Sequence, residues 1–94
     1  MPKPIHRAEY EAVRALLREL RTDAHMKQVE LSRALGKPQP YISAIETGQR
    51  RVDLVEIRDI CKVLGVTLAE FVSSLEKALR SASRRTPAPR SRVD

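Results

Sequence analysis

The residue types that most often carry catalysis are few in this sequence and poorly placed for it. His6 and His25 are isolated and have no carboxylate or cysteine at the spacing of metal ligands. The single cysteine, Cys61, lies in an apolar stripe far from both histidines, so no Cys/His pair can be assembled. The three glycines are scattered and form no glycine-rich phosphate loop. We therefore expect no enzyme activity, no metal and no cofactor.

Positive charge is the clearest chemical property of the 94-residue chain, whose net charge is +6 and whose pI is about 10.1. Such a balance favours nucleic acid or an acidic membrane surface without choosing between them. Residues 80–94 contain five arginines and a single acidic residue, Asp94, so this segment carries +4 of the net charge of +6. Aromatic residues make up only 3%, which argues against a protein that stacks RNA or single-stranded bases on rings.

We expect no targeting or membrane-spanning segment. Residues 1–10 are charged and contain two prolines, unlike a secretory signal. No apolar run approaches the roughly 18 residues of a membrane span. A lone cysteine excludes an internal disulfide, which fits a reducing compartment, and Cys61 is expected to be a small core residue. A cytoplasmic protein without a membrane partner is the prediction.

Apolar residues recur with helical spacing, and no stretch of useful length alternates as a strand would. We predict one domain with an all-α fold of five helices, near residues 7–23, 27–35, 40–47, 53–64 and 67–79. The predicted division is an N-terminal arm at 1–6, the domain at 7–80 and a basic tail at 81–94. The tail is rich in serine, arginine and proline and is expected to be disordered, either as an electrostatic arm or as a solvated end.

Glycines and capping pairs predict where the helices end and begin. Glycine adopts the positive φ that stops a helix, and three glycines each follow a helical segment: Gly36, Gly48 and Gly65. Two pairs have the spacing of capping boxes: Asp53 with Glu56, and Thr67 with Glu70. Pro40 is tolerated because it is predicted in the first turn of the third helix, where its missing N–H would be unpaired anyway.

The second and third helices, within residues 28–48, form the most informative unit. Gly36 ends the second helix, and Ser32 is small where the third helix must cross closely. Spaced aliphatic residues supply the crossing core: Leu31, Leu35, Ile42 and Ile45. Two helices packed steeply in this way leave the outer face of the second one projecting from the surface.

This unit resembles the Cro/phage-repressor type of helix-turn-helix regulator, also called the xenobiotic-response-element type. The resemblance covers roughly residues 16–71 and rests on Gln28, on Leu31-Ser32 and Leu35-Gly36, on PQPYISAIETG at 38–48 and on LGVTL at 64–68. It implies a five-helix bundle with a lambda-repressor-like DNA-binding domain, whose third helix enters the major groove.

The resemblance assigns roles to residues around the third helix. It implies base contacts by Gln39, Pro40, Ser43 and Ala44, with Tyr41 either close to DNA or packed on the turn. Gln39 is the strongest of these, because a glutamine amide can bond bidentately to adenine. Phosphate contacts are implied for Gln28, Lys27, Lys37, Thr47, Gln49, Arg50 and Arg51, although the two arginines could simply form a polar loop.

Arg21 and Glu46 are implied to form a partly buried structural ion pair that joins the first helix to the third. Three positions depart from the family pattern, because Lys37 replaces an aliphatic residue and Pro40 and Ala44 replace polar ones. We therefore expect this chain to make fewer hydrogen bonds to bases than the family pattern implies, and its DNA binding to depend more on phosphate contacts and DNA shape.

The function implied is a transcriptional regulator, a repressor, that binds a palindromic operator in double-stranded DNA as a homodimer. The fifth helix has more apolar length than a small bundle needs, which makes Val72, Leu75 and Leu79 the dimer candidates. An antitoxin or another protein-interaction module on the same domain is the alternative. The chain has no room for a separate sensing domain, so no small-molecule ligand is expected.

Overall fold

Five α-helices make up the part of the chain that the computed structural model describes, which is the backbone of residues 7–84 and the side chains of residues 7–81. They are α1 (Ala8–Asp23), α2 (Gln28–Ala34), α3 (Tyr41–Thr47), α4 (Leu54–Leu64) and α5 (Leu68–Arg84). Residues 7–84 contain no strand, so the all-α prediction is confirmed. No helix in this range is long and apolar enough to cross a membrane.

The helices end where the glycines and capping pairs predict. Gly48 and Gly65 follow α3 and α4 with φ of +85° and +81°, the left-handed conformation that costs glycine little. At the start of α4, Asp53 accepts from the Glu56 N–H at 2.8 Å, and Glu56 accepts from the Asp53 N–H at 2.9 Å. Both predicted capping boxes are present, the second joining Thr67 and Glu70.

Two helix boundaries differ from the expected positions. Pro40 lies just before α3 rather than within its first turn, and its carbonyl accepts the first helical hydrogen bond, from the Ala44 N–H at 2.9 Å. Helix α5 continues to Arg84, four residues beyond the predicted domain boundary at 80/81. The first residue that opposes a helix after α5 is Pro87, and nothing in residues 81–84 excludes helical backbone. Residues 1–6 and 85–94, which hold the arm and most of the tail, lie outside the described residues.

The core lies where α1 and α2 pack against α3 and where α4 and α5 close the bundle. Leu31, Ile45 and Ile60 are almost fully buried, and Cys61 is fully buried among them, as expected for a small core residue. Burial also raises the pKa of the Cys61 thiol. These contacts hold α3 by its inner face and leave its other face outward.

The α2–α3 crossing depends on one polar side chain. Ser32 is fully buried, and its Oγ accepts a hydrogen bond from the Ile42 N–H at 3.1 Å. Amides in the first turn of a helix have no intrahelical partner, so this bond satisfies one that would otherwise be buried unpaired. Ser32 therefore fixes the start of α3 against α2 as well as leaving room for it.

Candidate nucleic-acid interface

Two of the predicted base-contact residues lie just before α3 and two lie on it. Gln39 and Pro40 are exposed just before the helix, and Ser43 and Ala44 are half-buried one turn later. Of these four residues, Pro40 and Ala44 are four positions apart and line the same surface depression. The inward side of the same helix is Ile42 and Ile45, which are 2% and 1% exposed.

Tyr41 is placed differently from the base-contact prediction. Its side chain is only 8% exposed and belongs to the core, so the alternative in which the ring packs on the turn fits the structure. Lys37 Nζ lies 5.4 Å and Arg50 Cζ 5.0 Å from the ring centroid, within cation–π range. Burial raises the pKa of the Tyr41 phenol, an effect that the neighbouring Arg50 partly opposes.

Arg50 and Arg51, in the loop between α3 and α4, are held by side chains outside the motif. Arg50 Nη2 donates to Glu56 Oε2 at 2.6 Å, and the other oxygen of Glu56 caps α4. Arg51 Nη2 donates to the Tyr10 hydroxyl at 2.7 Å, and its guanidinium lies 4.8 Å from that ring's centroid. Both arginines remain exposed, so the loop presents two ordered cations beside α3.

Glu46 is the centre of a buried network that includes the predicted partner Arg21. Arg21 Nε and Nη2 donate to its two carboxylate oxygens at 2.7 and 3.1 Å, and Arg21 Nη1 donates to the Met26 carbonyl at 2.8 Å. The arginine and carboxylate side chains are only 10% and 5% exposed. Gln28 Nε2 donates to Glu46 Oε1 at 2.8 Å, so a residue predicted to hold phosphate is engaged with α3.

The remaining phosphate candidates lie at helix ends. Lys27 is exposed just before α2, and its N–H donates to Glu30 Oε1 at 2.8 Å. Thr47 closes α3, and its hydroxyl donates to the Ser43 carbonyl at 3.0 Å. Gln49 is exposed in the following loop. Lys27 and Gln49 therefore face solvent with Arg50 and Lys37, whereas the Thr47 hydroxyl is bonded within its own helix.

Arg14 is a residue that the sequence analysis did not single out. A Cβ placed on Gly48 would lie 3.2 Å from Arg14 Cζ and 3.3 Å from Arg14 Nε, so the guanidinium rests against the end of α3. Nothing in the sequence brings Arg14 to Gly48 without the packing of α1 on α3.

The dimer candidates on α5 differ from one another in exposure. Val72 is 42% exposed, whereas Leu75 and Leu79 are half-buried and Leu75 packs against the core of its own chain. Leu75 therefore stabilises the fold of the single chain by packing against its core. Three apolar side chains that were not singled out from the sequence are exposed on α4: Leu54 at 62%, Val55 at 68% and Val63 at 36%.

Comparisons with known proteins agree with this geometry. A family model described as helix-turn-helix matches residues 17–71. The control protein C.MunI of a Mycoplasma species is 38% identical over 61 residues, which cover 65% of this chain and 80% of the relative. An XRE-family-like protein from Pseudomonas syringae pv. tomato is 39% identical with a TM-score of 0.72, covering 79% of this chain and 90% of the other.

A second solved structure is the clp gene regulator ClgR from Corynebacterium glutamicum, with 28% identity and a TM-score of 0.69. The match covers 89% of this chain and 88% of that one. The five-helix arrangement is therefore shared over most of each chain.

Proposed function

This chain belongs to the Cro/phage-repressor-type helix-turn-helix family of DNA-binding regulators, and on that premise we propose that it binds a specific sequence of double-stranded DNA with α3 in the major groove. The observation that carries the proposal is the outward face of α3. Ser43 and Ala44 lie on this helix, the exposed Gln39 precedes it by two residues, and Lys37 and Arg50 line a depression together with Ala44. This arrangement matches base-reading side chains flanked by phosphate-binding cations.

Gln39 is the proposed base reader and Arg50 the proposed phosphate contact. The amide of Gln39 can pair with the N6 and N7 edge of one adenine, so Gln39→Ala should cost about 1–3 kcal/mol and relax specificity at one base position. Arg50→Ala should weaken binding to all sequences alike, because phosphate carries no sequence information. Gln28 is proposed to offer phosphate its backbone N–H at the start of α2, since its side-chain amide is engaged with Glu46.

The test starts with selection of bound duplexes from a random DNA pool. Dissociation constants for the enriched duplex are then measured by fluorescence anisotropy across a salt series. Log affinity should fall linearly with log salt, by roughly 0.9 per phosphate neutralised, and Arg50→Ala should reduce that slope by about one. Lys77→Ala, which removes an exposed charge on α5, is the matched control and should leave the slope unchanged. A pool without an enriched sequence would contradict sequence-specific binding.

We further propose that the regulator is a homodimer that represses transcription from a palindromic operator, with recognition helices about 34 Å apart. Val72 is the most exposed of the three apolar candidates on α5, so Val72→Glu should shift sedimentation velocity towards the monomer. Val55→Glu is the comparison, because Val55 is more exposed but lies on α4. Sedimentation of the wild-type protein is measured over a series of protein concentrations, with and without the selected duplex. A monomer at every concentration would rule the dimer out.

A further inference from the structure

A cavity of about 190 Å³ lies between the first half of α1 and the loop that leads into α4. Its apolar walls are the Tyr10 ring, Val13, Val52 and Ile57. Ile57 is 8% exposed, and Val13 and Val52 pack against the core, so the fold fixes these walls. The volume corresponds to about six water molecules at roughly 30 Å³ each, which is room for a short aliphatic chain or one ring.

Positive charge borders this cavity. The charged residues that line it are all arginines, and none of the described residues in its lining is acidic: Arg14, Arg50 and Arg51. The Arg51 guanidinium lies 4.8 Å from the centroid of the Tyr10 ring, so a cation stands over an apolar wall. Arg51 Nη2 donates to the Tyr10 hydroxyl at 2.7 Å. A guanidinium has five N–H groups, so this bond leaves most of them for another acceptor.

An occupant that fits these surroundings has an apolar body and an anionic head. Water in the cavity meets walls that offer few hydrogen bonds, so an apolar group that displaces this water gains free energy. A carboxylate at the mouth can accept two parallel N–H bonds from one guanidinium. Charge complementarity and volume therefore favour an apolar tail of about six carbons that ends in a carboxylate.

We propose that the cavity binds a small ionised carboxylic acid with an apolar tail, that the carboxylate pairs with Arg51, and that this binding weakens DNA binding. Arg50 and Arg51 are the link, because both line the cavity and both are proposed phosphate contacts. Arg50 also lines the surface depression beside α3 with Lys37 and Ala44. The site departs from the expectation that no small molecule binds, and only its effect on DNA rests on the proposed function.

The first test measures ligand binding without DNA. Backbone amide shifts of isotope-labelled protein are followed during titration with sodium hexanoate, hexanol and sodium acetate. Hexanoate should bind about tenfold more tightly than hexanol, because only the acid pairs with an arginine. Acetate lacks most of the tail, and each missing methylene costs about fourfold in affinity, so its binding should not be measurable. The shifts should centre on Tyr10, Val13 and Val52.

Three variants assign the binding to this cavity. Arg51→Gln should bring the affinity of hexanoate down towards that of hexanol and leave hexanol largely unaffected. Arg58→Gln is the matched control, because Arg58 is exposed on α4 and does not line the cavity, and it should keep the preference. Val13→Phe fills the cavity and should abolish binding of both ligands. Thermal melts verify folding, and Arg51→Gln carries the test if Val13→Phe does not fold.

The second test adds the duplex enriched from the random pool. Saturation with hexanoate should raise the dissociation constant of the duplex about tenfold relative to sodium acetate at the same ionic strength. The slope of log affinity against log salt should become shallower by about one, because a phosphate contact is lost. By reciprocity, the duplex should weaken hexanoate binding by the same factor.

Hexanoate that binds no better than hexanol, shifts that centre away from the cavity, or a preference that survives Arg51→Gln would overturn the inference. Binding in the cavity with an unchanged duplex affinity would overturn the link to DNA. The titrations without DNA do not depend on the proposed function. A random pool without an enriched sequence would therefore overturn that function and leave the ligand site to be decided by its own titrations.

Discussion

Removal of the Glu46 carboxylate tests whether the buried network holds the recognition helix. Glu46→Ala leaves the Arg21 Nε and Nη2 groups and the Gln28 amide without their acceptor. Arg21 would keep only the Met26 carbonyl, at 2.8 Å. Because the Arg21 side chain is 10% exposed, water can replace little of the lost interaction.

The expected loss follows from that burial. Breaking a buried ion pair by removing one partner typically costs about 3–5 kcal/mol, mostly because the other charge stays buried and unpaired. For a domain of this size, a loss of about 3 kcal/mol corresponds to a fall in Tm of roughly 12–24 °C. Glu46→Gln should lose less, because it keeps one acceptor oxygen. DNA binding should weaken as the stability of the variant falls, because α3 is no longer held in position before DNA binds.

The assay is urea and thermal unfolding followed by circular dichroism at a fixed pH. Glu9→Ala is the matched control, because it removes the same group from an exposed ion pair, Arg7–Glu9, and should leave the midpoint where it is. A double variant, Arg21→Met with Glu46→Leu, should be less destabilised than the sum of its single variants, because no charge is left buried alone.

Unfolding of Glu46→Ala at the same midpoint as the wild type would show that the buried ion pair does not stabilise the fold. The prediction also fails if the Arg21 and Glu46 effects simply add, since the predicted loss comes from an uncompensated charge. In either case, apolar packing alone would fix α3.

Two further predictions concern the turn after α3 and the buried ionisable groups. Gly48→Ala should lower Tm more than Gly65→Ala. Both glycines have positive φ, a conformation that costs a residue with a Cβ about 1–2 kcal/mol. Only at Gly48 would the added Cβ also contact Arg14, at 3.2 Å. Equal losses in the two melts would show that Arg14 moves away freely. Stability should fall as pH rises above 9, because burial raises the pKa values of Cys61 and Tyr41 above their ordinary values of 9.0 and 10.0, so the unfolded chain ionises first. Urea unfolding midpoints at pH 8 and 10 measure this loss of stability. Cys61→Ala should make the loss smaller, and an unchanged loss would assign it to groups other than Cys61.

Helix ends were predictable because they are local. Gly48 and Gly65 stop helices through their own backbone, and the Asp53–Glu56 capping box spans only three residues. The end of α5 was missed because serine and arginine at 81–84 are common in tails and yet compatible with a helix.

Contacts between distant residues were harder to predict. Gln28 was predicted to contact phosphate. Its bond to Glu46 was not predicted, because a bond across 18 positions depends on how α2 and α3 pack. The bond from Arg51 to Tyr10 spans 41 positions, and no local sequence pattern indicates that Tyr10 would bind an arginine. The family pattern supplied Arg21 and Glu46, whereas periodicity alone would have left both on polar faces.

The way Arg50 and Arg51 are held has a consequence for the entropy of binding. A free arginine side chain loses up to about 2 kcal/mol of rotamer freedom when it is fixed against a partner. Here the Tyr41 and Tyr10 rings and the Glu56 carboxylate already restrict both guanidinium groups. Much of that side-chain entropy is therefore lost when the chain folds, so less is lost when the loop binds a phosphate. The two arginines are preorganised for binding.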